Sequence, residues 1–230
     1  MKIKALRVAF SHTVPVLTGY LFLGFAYGLL MHSAGFSAVV SVAMSLFVYA
    51  GSMQYAAVPL LCAPFAPFSA LMLALMVNAR HIFYGVSMLD KYRSCGKKEP
   101  YLVFALTDET FSLNVSARIP DNVSREDFYF FTSLLDHCYW VAATLLGGIL
   151  GKALTLNTQG IEFVMTALFV TVFTGQWMES KEHRPALIGL GASALCLFVF
   201  GAAGFILPAM ALMIAALLAM RKPLDKGAKA

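Results

Sequence analysis

Residues 8–79 of the chain have the sequence VAFSHTVPVLTGYLFLGFAYGLLMHSAGFSAVVSVAMSLFVYAGSMQYAAVPLLCAPFAPFSALMLALMVNA, and none of them is Lys, Arg, Asp or Glu. The whole chain of 230 residues is 60% hydrophobic and only 13% charged, whereas about a quarter of the residues of a soluble domain are charged. A water-exposed surface cannot be built from such a stretch. The sequence therefore predicts an all-α, polytopic membrane protein in which residues 1–230 form a single integral membrane domain.

The same composition excludes other classes of protein. Outer-membrane barrels have short segments of alternating hydrophobicity, whereas this chain has long unbroken apolar runs. The formal charge of +5 does not indicate nucleic-acid binding, because the basic residues lie at the ends of the apolar runs, as they do in cytoplasmic loops facing anionic lipid. The cysteines have no CxxC spacing and are interpreted as small buried hydrophobic residues; they are Cys62, Cys95, Cys138 and Cys196.

Eight apolar runs follow one another along the chain, divided at roughly 20 residues per membrane crossing. They are Thr13–Met31, Phe36–Cys62, Phe68–Leu89, Tyr101–Val115, Tyr129–Leu150, Ile161–Trp177, Ala186–Phe200 and Gly201–Met220. The basic start of the chain resembles that of a signal peptide, but the long apolar run after it has no obvious A-x-A motif, which predicts a retained first span. The last two runs meet at Gly201-Ala-Ala-Gly204, where small residues permit a tight turn.

The basic residues orient these runs, because clusters of Lys and Arg mark cytoplasmic loops. The clusters are Lys2, Lys4 and Arg7; Lys91, Arg93, Lys97 and Lys98; Lys181 and Arg184; and Arg221, Lys222, Lys226 and Lys229. Eight simple crossings would leave the loop Lys91–Lys98 outside. All clusters lie inside if Phe36–Cys62 enters and returns as two half-helices broken at Ala50-Gly51-Ser52, and if the short segment around Asp108 also re-enters. Six crossings then remain, with both termini cytoplasmic; eight plain spans stay open as the alternative, because the charge rule is statistical.

Interrupted segments in both halves of the chain are typical of transporters with discontinuous helices. The first of them contains Gly51, Ser52 and Gln54. Small residues let backbones approach closely, and Gln54 offers donors and an acceptor in the apolar phase. We predict that these three residues bind substrate; the alternative is helix packing, with Gln54 forming an interhelical hydrogen bond.

Arg80 lies near the centre of the third run if that run is one span. A guanidinium at that depth is costly unless it meets water or a counter-ion, and it matches a carboxylate in a bidentate way. We predict that Arg80 and Asn78 bind a substrate carboxylate; the alternative is a buried ion pair that fixes the bundle. His81 is a candidate for proton transfer, since histidine changes charge near neutral pH, but a hydrogen-bonding role is the alternative.

Asp108 and Glu109 are adjacent carboxylates in an apolar stretch, where both cannot be ionised cheaply. Neighbours on a helix point about 100° apart, so one can face Arg80 while the other faces a cavity. We predict that Asp108 pairs with Arg80 and that Glu109 is the favoured proton carrier. The alternative is a loop edge with both carboxylates solvated.

Asp136 and Trp140 are four residues apart and share a helix face. This spacing makes Trp140 a candidate for substrate contact and Asp136 a second candidate for proton coupling. In the alternative interpretation Asp136 and His137 lie at interfacial depth, and Tyr139 and Trp140 belong to an aromatic belt. The segment 176–179, with its tryptophan and charge, is interpreted as an interfacial anchor.

No motif of an enzyme is present in the sequence. HExxH, P-loop, GxSxG and dinucleotide fingerprints are absent, and the histidines are too scattered to predict a metal site. No cofactor is therefore expected. Because the chain is too short to include a nucleotide-binding domain, any transport must be driven by an ion gradient, by substrate exchange or by another subunit.

Three motifs resemble the AzlC/YgaZ family, the large subunit of branched-chain amino acid exporters. They are Tyr49-Ala50-Gly51-Ser52-Met53-Gln54, Asn78-Ala79-Arg80-His81-Ile82-Phe83-Tyr84-Gly85 and Thr107-Asp108-Glu109-Thr110-Phe111-Ser112-Leu113. The resemblance continues, less specifically, through Asp136-His137-Cys138-Tyr139-Trp140 and Met165-Thr166-Ala167-Leu168-Phe169. Length, basic N-terminus and motif order match along nearly the whole chain.

The resemblance implies export of branched-chain amino acids, and in some members methionine, across the bacterial inner membrane. It also implies a small, separately encoded partner of the AzlD/YgaH type. The sequence thus favours a secondary transporter that exports a zwitterionic, apolar-side-chain amino acid against proton entry. The alternative is a non-catalytic membrane subunit or channel-like pore for a small solute.

Overall fold

The computed structural model describes residues 2–64, 66–151, 182–201 and 205–220, together with single positions between 163 and 178. Every regular element in these ranges is helical, as the sequence predicts. The chain divides into two compact units, Met1–Val164 and Met165–Ala230. Each unit is described by itself.

The first unit contains the interrupted segments. Its helices are α1 (Lys2–Ser33), α2 (Ala38–Phe47), α3 (Gly51–Cys62), α4 (Pro67–Asn78), α5 (Arg80–Arg93), α6 (Glu99–Phe104), α7 (Asp108–Ser116) and α8 (Arg125–Leu150), with a 3₁₀ turn at Gly96–Lys98. The second unit contains α9 (Arg184–Phe200) and α10 (Ile206–Ala219), which pack against each other.

Two of the described helices, α1 and α8, are long and apolar enough to cross a membrane alone. They have 32 and 26 residues, or about 48 and 39 Å at the helical rise. Helix α1 begins well before Thr13, where the first apolar run starts, because Ala5 and Ala9 are completely buried against α5 and α8. The predicted total of six to eight membrane segments stays a prediction.

Helices α1 and α8 lie side by side and run parallel. His12 contacts Phe128 near their starts, with ring centroids 5.4 Å apart, and His32 meets Gly151 just after the end of α8. Between these points Gly28 lies against the backbone of Gly147. Both helices therefore begin at one end of the unit, here called the basic end, and finish at the other, the opposite end.

The segment Phe36–Cys62 forms a hairpin that enters from the opposite end. Ala38 lies against Gly148, near the end of α8. Gln54, just after the turn, accepts a hydrogen bond from Trp140, which lies near the middle of α8. Helix α3 then runs back, with the Tyr55 hydroxyl donating to the carbonyl of Leu23 on α1 at 2.7 Å. The predicted break at Ala50-Gly51-Ser52 is confirmed: α2 ends at Phe47 and α3 begins at Gly51.

The third apolar run, Phe68–Leu89, is divided into α4 and α5 rather than being one regular helix. Ala79 keeps helical dihedral angles (φ −53°, ψ −31°). The Ile82 amide donates a hydrogen bond to the Ala79 carbonyl at 3.2 Å, three residues back in the chain instead of the four of a regular α-helix. Together α4 and α5 cross the unit, because α4 packs on α3 and α5 reaches the basic end, where Tyr92 joins the same apolar cluster as Ala5.

The segment Tyr101–Val115 forms a second hairpin, and this one enters from the basic end. Lys98, just before α6, pairs with Asp127 in the first turn of α8. Helix α7 then returns to the same end, where the Asn114 amide donates to the Tyr92 hydroxyl at 2.9 Å. The two hairpins thus enter from opposite ends, and their tips meet near the middle of α1 and α8.

Some predicted features lie outside the described residues. They are most of Ile161–Trp177 and Met165–Phe169, the anchor segment apart from Trp177 and Met178, Lys181, residues 202–204, and the basic cluster 221–229. The turn after α9 does begin where the sequence predicts, at Gly201, whose φ of 70° suits glycine.

Candidate substrate and proton site

Arg80 joins the ends of several interrupted helices. Its Nε and Nη2 donate to the two carboxylate oxygens of Asp108, each at 2.8 Å. Nη2 also donates to Ser52 Oγ at 2.8 Å, and Nη1 donates to the carbonyl of Val77 at 2.9 Å. Asp108 begins α7, Ser52 is the second residue of α3, and Val77 lies in the last turn of α4. The predicted pairing of Arg80 with Asp108 is confirmed.

The helix ends stabilise these charges further. Thr107 caps α7 by accepting from the Thr110 amide at 3.3 Å, and a carboxylate such as Asp108 in the first turn is favoured by the helix dipole. Arg80 in turn donates near the C-terminus of α4, where carbonyl groups lack helical partners. The side chains of Arg80 and Asp108 keep 28% and 31% of their surface exposed. The pair is thus accessible to a ligand.

Glu109 begins a chain of hydrogen bonds. The Tyr20 hydroxyl donates to Glu109 Oε2 at 2.8 Å and lies 2.8 Å from Thr107 Oγ1. Thr107 Oγ1 lies 3.1 Å from Thr110 Oγ1, which donates to Asp136 Oδ2 at 2.8 Å. Three hydroxyl groups therefore connect the two carboxyl groups.

Asp136 lies inside the unit and not near the start of α8, where the interfacial alternative placed it. It is completely buried near the middle of α8. Its Oδ1 atom has no hydrogen-bond partner within the described part of the chain. A buried carboxylate in this position is costly unless it is paired or neutralised. The polar tip of the second hairpin approaches α8 at this depth and supplies the contact from Thr110.

Gln54 and Trp140 contact each other. The Trp140 Nε1 group donates to Gln54 Oε1 at 2.9 Å, and Gln54 Nε2 donates to Ser45 Oγ at 3.1 Å. Both side chains are buried. A Cβ added at Gly51 would lie 3.2 Å from Cη2 of Trp140, so the glycine lets the hairpin tip rest on the indole. This arrangement agrees with the packing alternative for Gln54, and it leaves substrate contact by either residue as a prediction.

The predicted residues Asn78 and His81 lie at the joint between α4 and α5. His81 Nδ1 lies 3.2 Å from the Asn78 carbonyl, so the histidine caps the end of α4. The side-chain oxygen Oδ1 of Asn78 is buried and has no partner among the residues described.

Several residues in this centre are not predicted as site residues by the sequence, although all of them except Tyr20 lie within the motifs that resemble the family. Tyr20, Thr107 and Thr110 are common residue types in membrane helices, and only the fold brings them between the carboxyl groups. Tyr49, at the first hairpin tip, has a φ of 42°, which is rare and strained for a bulky residue. His137 stacks on Tyr49 with ring centroids 4.1 Å apart.

His137 also fixes the end of α2. Its Nε2 lies 3.2 Å from the carbonyl of Ser45, and its Nδ1 lies 3.1 Å from the Tyr101 hydroxyl. Because a carbonyl only accepts, Nε2 carries the proton and Nδ1 accepts from Tyr101. Among the described residues, no group of three or more His, Cys, Asp or Glu side chains is placed to hold a metal ion.

Comparison with known proteins places this arrangement in context. The family model described as AzlC protein matches residues 15–154. The chain is 52% identical over 222 residues to the Branched-chain amino acid transport protein AzlC of Bacillus subtilis, covering 96% of this chain and 87% of that protein. It is 43% identical over 208 residues to an "Uncharacterized membrane protein" of Haemophilus influenzae, covering 90% and 85% of the two chains.

A more distant similarity extends to the Inner membrane protein YgaZ of Escherichia coli, with 27% identity over 187 residues and coverage of 77% of this chain and 76% of that protein. No solved structure matches the chain.

Proposed function

Because the chain belongs to the AzlC family of membrane proteins, we propose that it is a secondary transporter that exports branched-chain amino acids, and methionine with them, across the bacterial inner membrane. The Bacillus subtilis relative is named as a branched-chain amino acid transport protein. The observation that carries the proposal is the Arg80–Asp108 pair, held where interrupted helices of two opposed hairpins meet. Ends of broken helices at mid-depth are where secondary transporters bind their substrates and coupling ions.

The charges of the pair match those of a zwitterionic amino acid. Arg80 binds the substrate carboxylate in the bidentate geometry that it now offers to Asp108, with Ser52 adding a hydroxyl. Asp108, once released, takes the ammonium group together with the unpartnered Oδ1 of Asn78. One substrate molecule thus replaces one ion pair with two, and no charge is left without a partner.

The apolar side chain of the substrate lies towards the first hairpin tip in this proposal. The backbone at Gly51 rests on the indole of Trp140, because a Cβ there would lie 3.2 Å from Cη2, so the substrate side chain enters when the hairpin tip moves off the ring. Gln54 accepts the hydrogen bond of the indole and fixes its position. A pocket bounded by an aromatic ring and a backbone accepts leucine, isoleucine, valine and methionine with small differences in affinity, since a methylene group is worth only about 1 kcal/mol.

The proposed topology follows from the two hairpins. The first unit crosses the membrane three times, through α1, the α4–α5 pair and α8, and both hairpins re-enter. Three more crossings, by residues 161–177 and helices α9 and α10, return the C-terminus to the cytoplasm, where the N-terminus also lies. The whole chain then forms one transport domain, which works with a small AzlD-type membrane subunit.

Export is driven by proton entry in this proposal. Glu109 is the favoured proton carrier, with Asp136 and His81 behind it, while Asp108 takes part by holding and releasing Arg80. The contact that supports this assignment is the hydrogen bond from Tyr20, which keeps Glu109 next to the proposed substrate site without binding it to Arg80.

Counterflow in proteoliposomes tests the proposal. The chain is reconstituted alone and with the small subunit, and uptake of labelled leucine is measured with and without unlabelled leucine on the other side. A transporter accelerates exchange when substrate is present on the trans side, whereas a channel-like pore does not. No acceleration in either preparation would reject the transporter in favour of the pore.

Arg80→Lys sharpens the test, because lysine keeps the charge and loses the bidentate geometry. We expect the half-saturating leucine concentration to rise by about tenfold or more. Arg93→Lys, the same change at the exposed end of α5, should leave it unchanged. Equal behaviour of the two variants would contradict carboxylate binding by Arg80.

A further inference from the structure

The hydrogen-bond chain between Glu109 and Asp136 has one link more than its hydroxyl groups can supply with protons. It contains four oxygen–oxygen links, between 2.8 and 3.1 Å long. Each hydroxyl of Tyr20, Thr107 and Thr110 carries one proton, and an ionised carboxylate carries none. Three protons cannot fill four links.

The missing proton has an energetic consequence. If both carboxyl groups were ionised, one link would bring two oxygen atoms together with no hydrogen between them. Thr110 is completely buried and Tyr20 and Thr107 nearly so, so water cannot satisfy the unpaired oxygen atoms, and leaving a buried polar group unsatisfied is destabilising. If both were protonated, five protons would compete for four links. One proton on one carboxyl group completes every link.

We propose that Glu109 and Asp136 hold a single proton jointly, and that the hydroxyl groups of Tyr20, Thr107 and Thr110 pass it between them. This inference rests on the proposed proton coupling, and it adds the path and the second carboxyl group. The contact of the second hairpin tip with helices α1 and α8 is then a proton-binding site, with Glu109 at one end and Asp136 at the other.

The transfer balances as a concerted shift along the chain. Glu109 Oε2 gives its proton to the Tyr20 oxygen while Tyr20 gives its own to Thr107. Thr107 then gives its proton to Thr110, and Thr110 gives its proton to Asp136 Oδ2. Each hydroxyl loses one proton and gains one. The net change is the movement of one proton from Glu109 to Asp136.

The carboxyl groups at the two ends of the hydrogen-bond chain have different surroundings. Glu109 is partly exposed and follows Asp108 in the chain, so substrate binding at the Arg80–Asp108 pair changes the field at that end. Asp136 is buried, and its Oδ1 is free to accept a further hydrogen bond. The titratable and charged groups that interact electrostatically with the two carboxyl groups are Tyr20, Tyr49, Arg80, Tyr84, Tyr101, Asp108 and Tyr139.

Thr110→Val and Thr110→Ser test the path. Valine keeps the shape and removes the hydroxyl, whereas serine keeps it. In proteoliposomes, we expect Thr110→Val to reduce leucine export driven by a pH gradient at least about tenfold and to leave leucine exchange at equal pH unchanged, since exchange needs no net proton movement. Thr110→Ser should keep both. Full pH-driven export by Thr110→Val would overturn the path.

Infrared spectroscopy tests the shared proton without any transport assay. The purified wild-type protein at neutral pH should show the C=O band of a protonated carboxyl group, and both Glu109→Gln and Asp136→Asn should shift or remove that band. Asp90→Asn, an exposed change on α5, should not alter it. Absence of the band, or its dependence on only one of the two residues, would overturn the inference. Failure of counterflow with the band intact would instead reject the proposed function.

Discussion

At the scale of single residues, the ion pair between Arg80 and Asp108 stabilises the centre of the first unit. Since a buried charge without its partner is costly, Arg80→Gln and Asp108→Asn should each destabilise the protein by about 3 kcal/mol. The double variant leaves no orphan charge and should lose less than either single variant. The measurement is the melting temperature and the yield of folded protein after detergent extraction.

The control for this pair is Arg184→Gln. Arg184 is paired with Glu182, but 56% of its side chain is exposed, and exposed pairs contribute about 0–1 kcal/mol. Its loss should barely change the melting temperature. Losses from Arg80→Gln and Asp108→Asn that simply add in the double variant would show that the two side chains do not depend on each other.

Glu109 is the residue at which substrate exchange and proton movement should separate. Glu109→Gln keeps an acceptor for the Tyr20 hydroxyl but can no longer take up or release a proton. We expect the variant to lose pH-driven leucine export and to retain exchange in proteoliposomes. Asp90→Asn, with an equal loss of negative charge at an exposed site, should behave as wild type. Undiminished pH-driven export by Glu109→Gln would reject its role as carrier.

At the scale of whole helices, the close contact between α1 and α8 depends on glycine residues. A Cβ at Gly28 would clash with the Thr144 carbonyl, and one at Gly147 would clash with the Phe25 carbonyl. Backbone atoms cannot move aside as side chains can, so the helices must separate. Gly28→Ala and Gly147→Ala should each cost about 2 kcal/mol or more, measured as a fall in melting temperature.

Gly19→Ala is the matched change on the same helix. A Cβ at Gly19 meets nothing within 4 Å, and alanine favours helix by about 1 kcal/mol over glycine. Its melting temperature should therefore stay level or rise. Equal losses at all three positions would indicate that glycine acts through backbone flexibility and not through close packing.

A structural feature can be predicted from this sequence where small or charged residues interrupt an otherwise apolar run. The break at Ala50-Gly51-Ser52 and the Arg80–Asp108 pair stand out for this reason, because each is unfavourable in lipid unless the fold provides for it. The joint at Ala79 could not be predicted, since alanine favours an unbroken helix. The hydroxyl chain depends on contacts between Tyr20, Thr110 and Asp136, which are far apart in sequence.

The order of helices in the first unit suggests an inverted repeat at the scale of the molecule. Helix α1 crosses towards the opposite end and is followed by a hairpin from that end. The α4–α5 pair crosses back and is followed by a hairpin from the basic end. Such repeats are common in secondary transporters, with the binding site between them. Here the hairpin tips with Ser52 and Asp108 meet at Arg80, which brings motifs that are distant in sequence together.

This arrangement makes a prediction about which loops face the cytoplasm. Cys95 lies at the basic end but is a poor probe, because it is buried and burial raises the pKa of its thiol, which lowers the fraction of reactive thiolate. Two exposed serines offer a matched pair. Ser94, beside Cys95, donates to the carbonyl of Lys91, and Ser33, at the opposite end, donates to that of Leu29.

Each serine is replaced by cysteine in a chain whose four native cysteines are changed to serine. An impermeant thiol reagent applied to intact spheroplasts should label the Ser33→Cys variant and spare the Ser94→Cys variant until the membrane is made permeable. The reason is that, in the proposed topology, the first hairpin returns to the side it entered, so that a single crossing, by α4 and α5, separates residue 33 from residue 94. If the segment Phe36–Cys62 instead spanned the membrane, both positions would lie on one side, and the two variants would be labelled together.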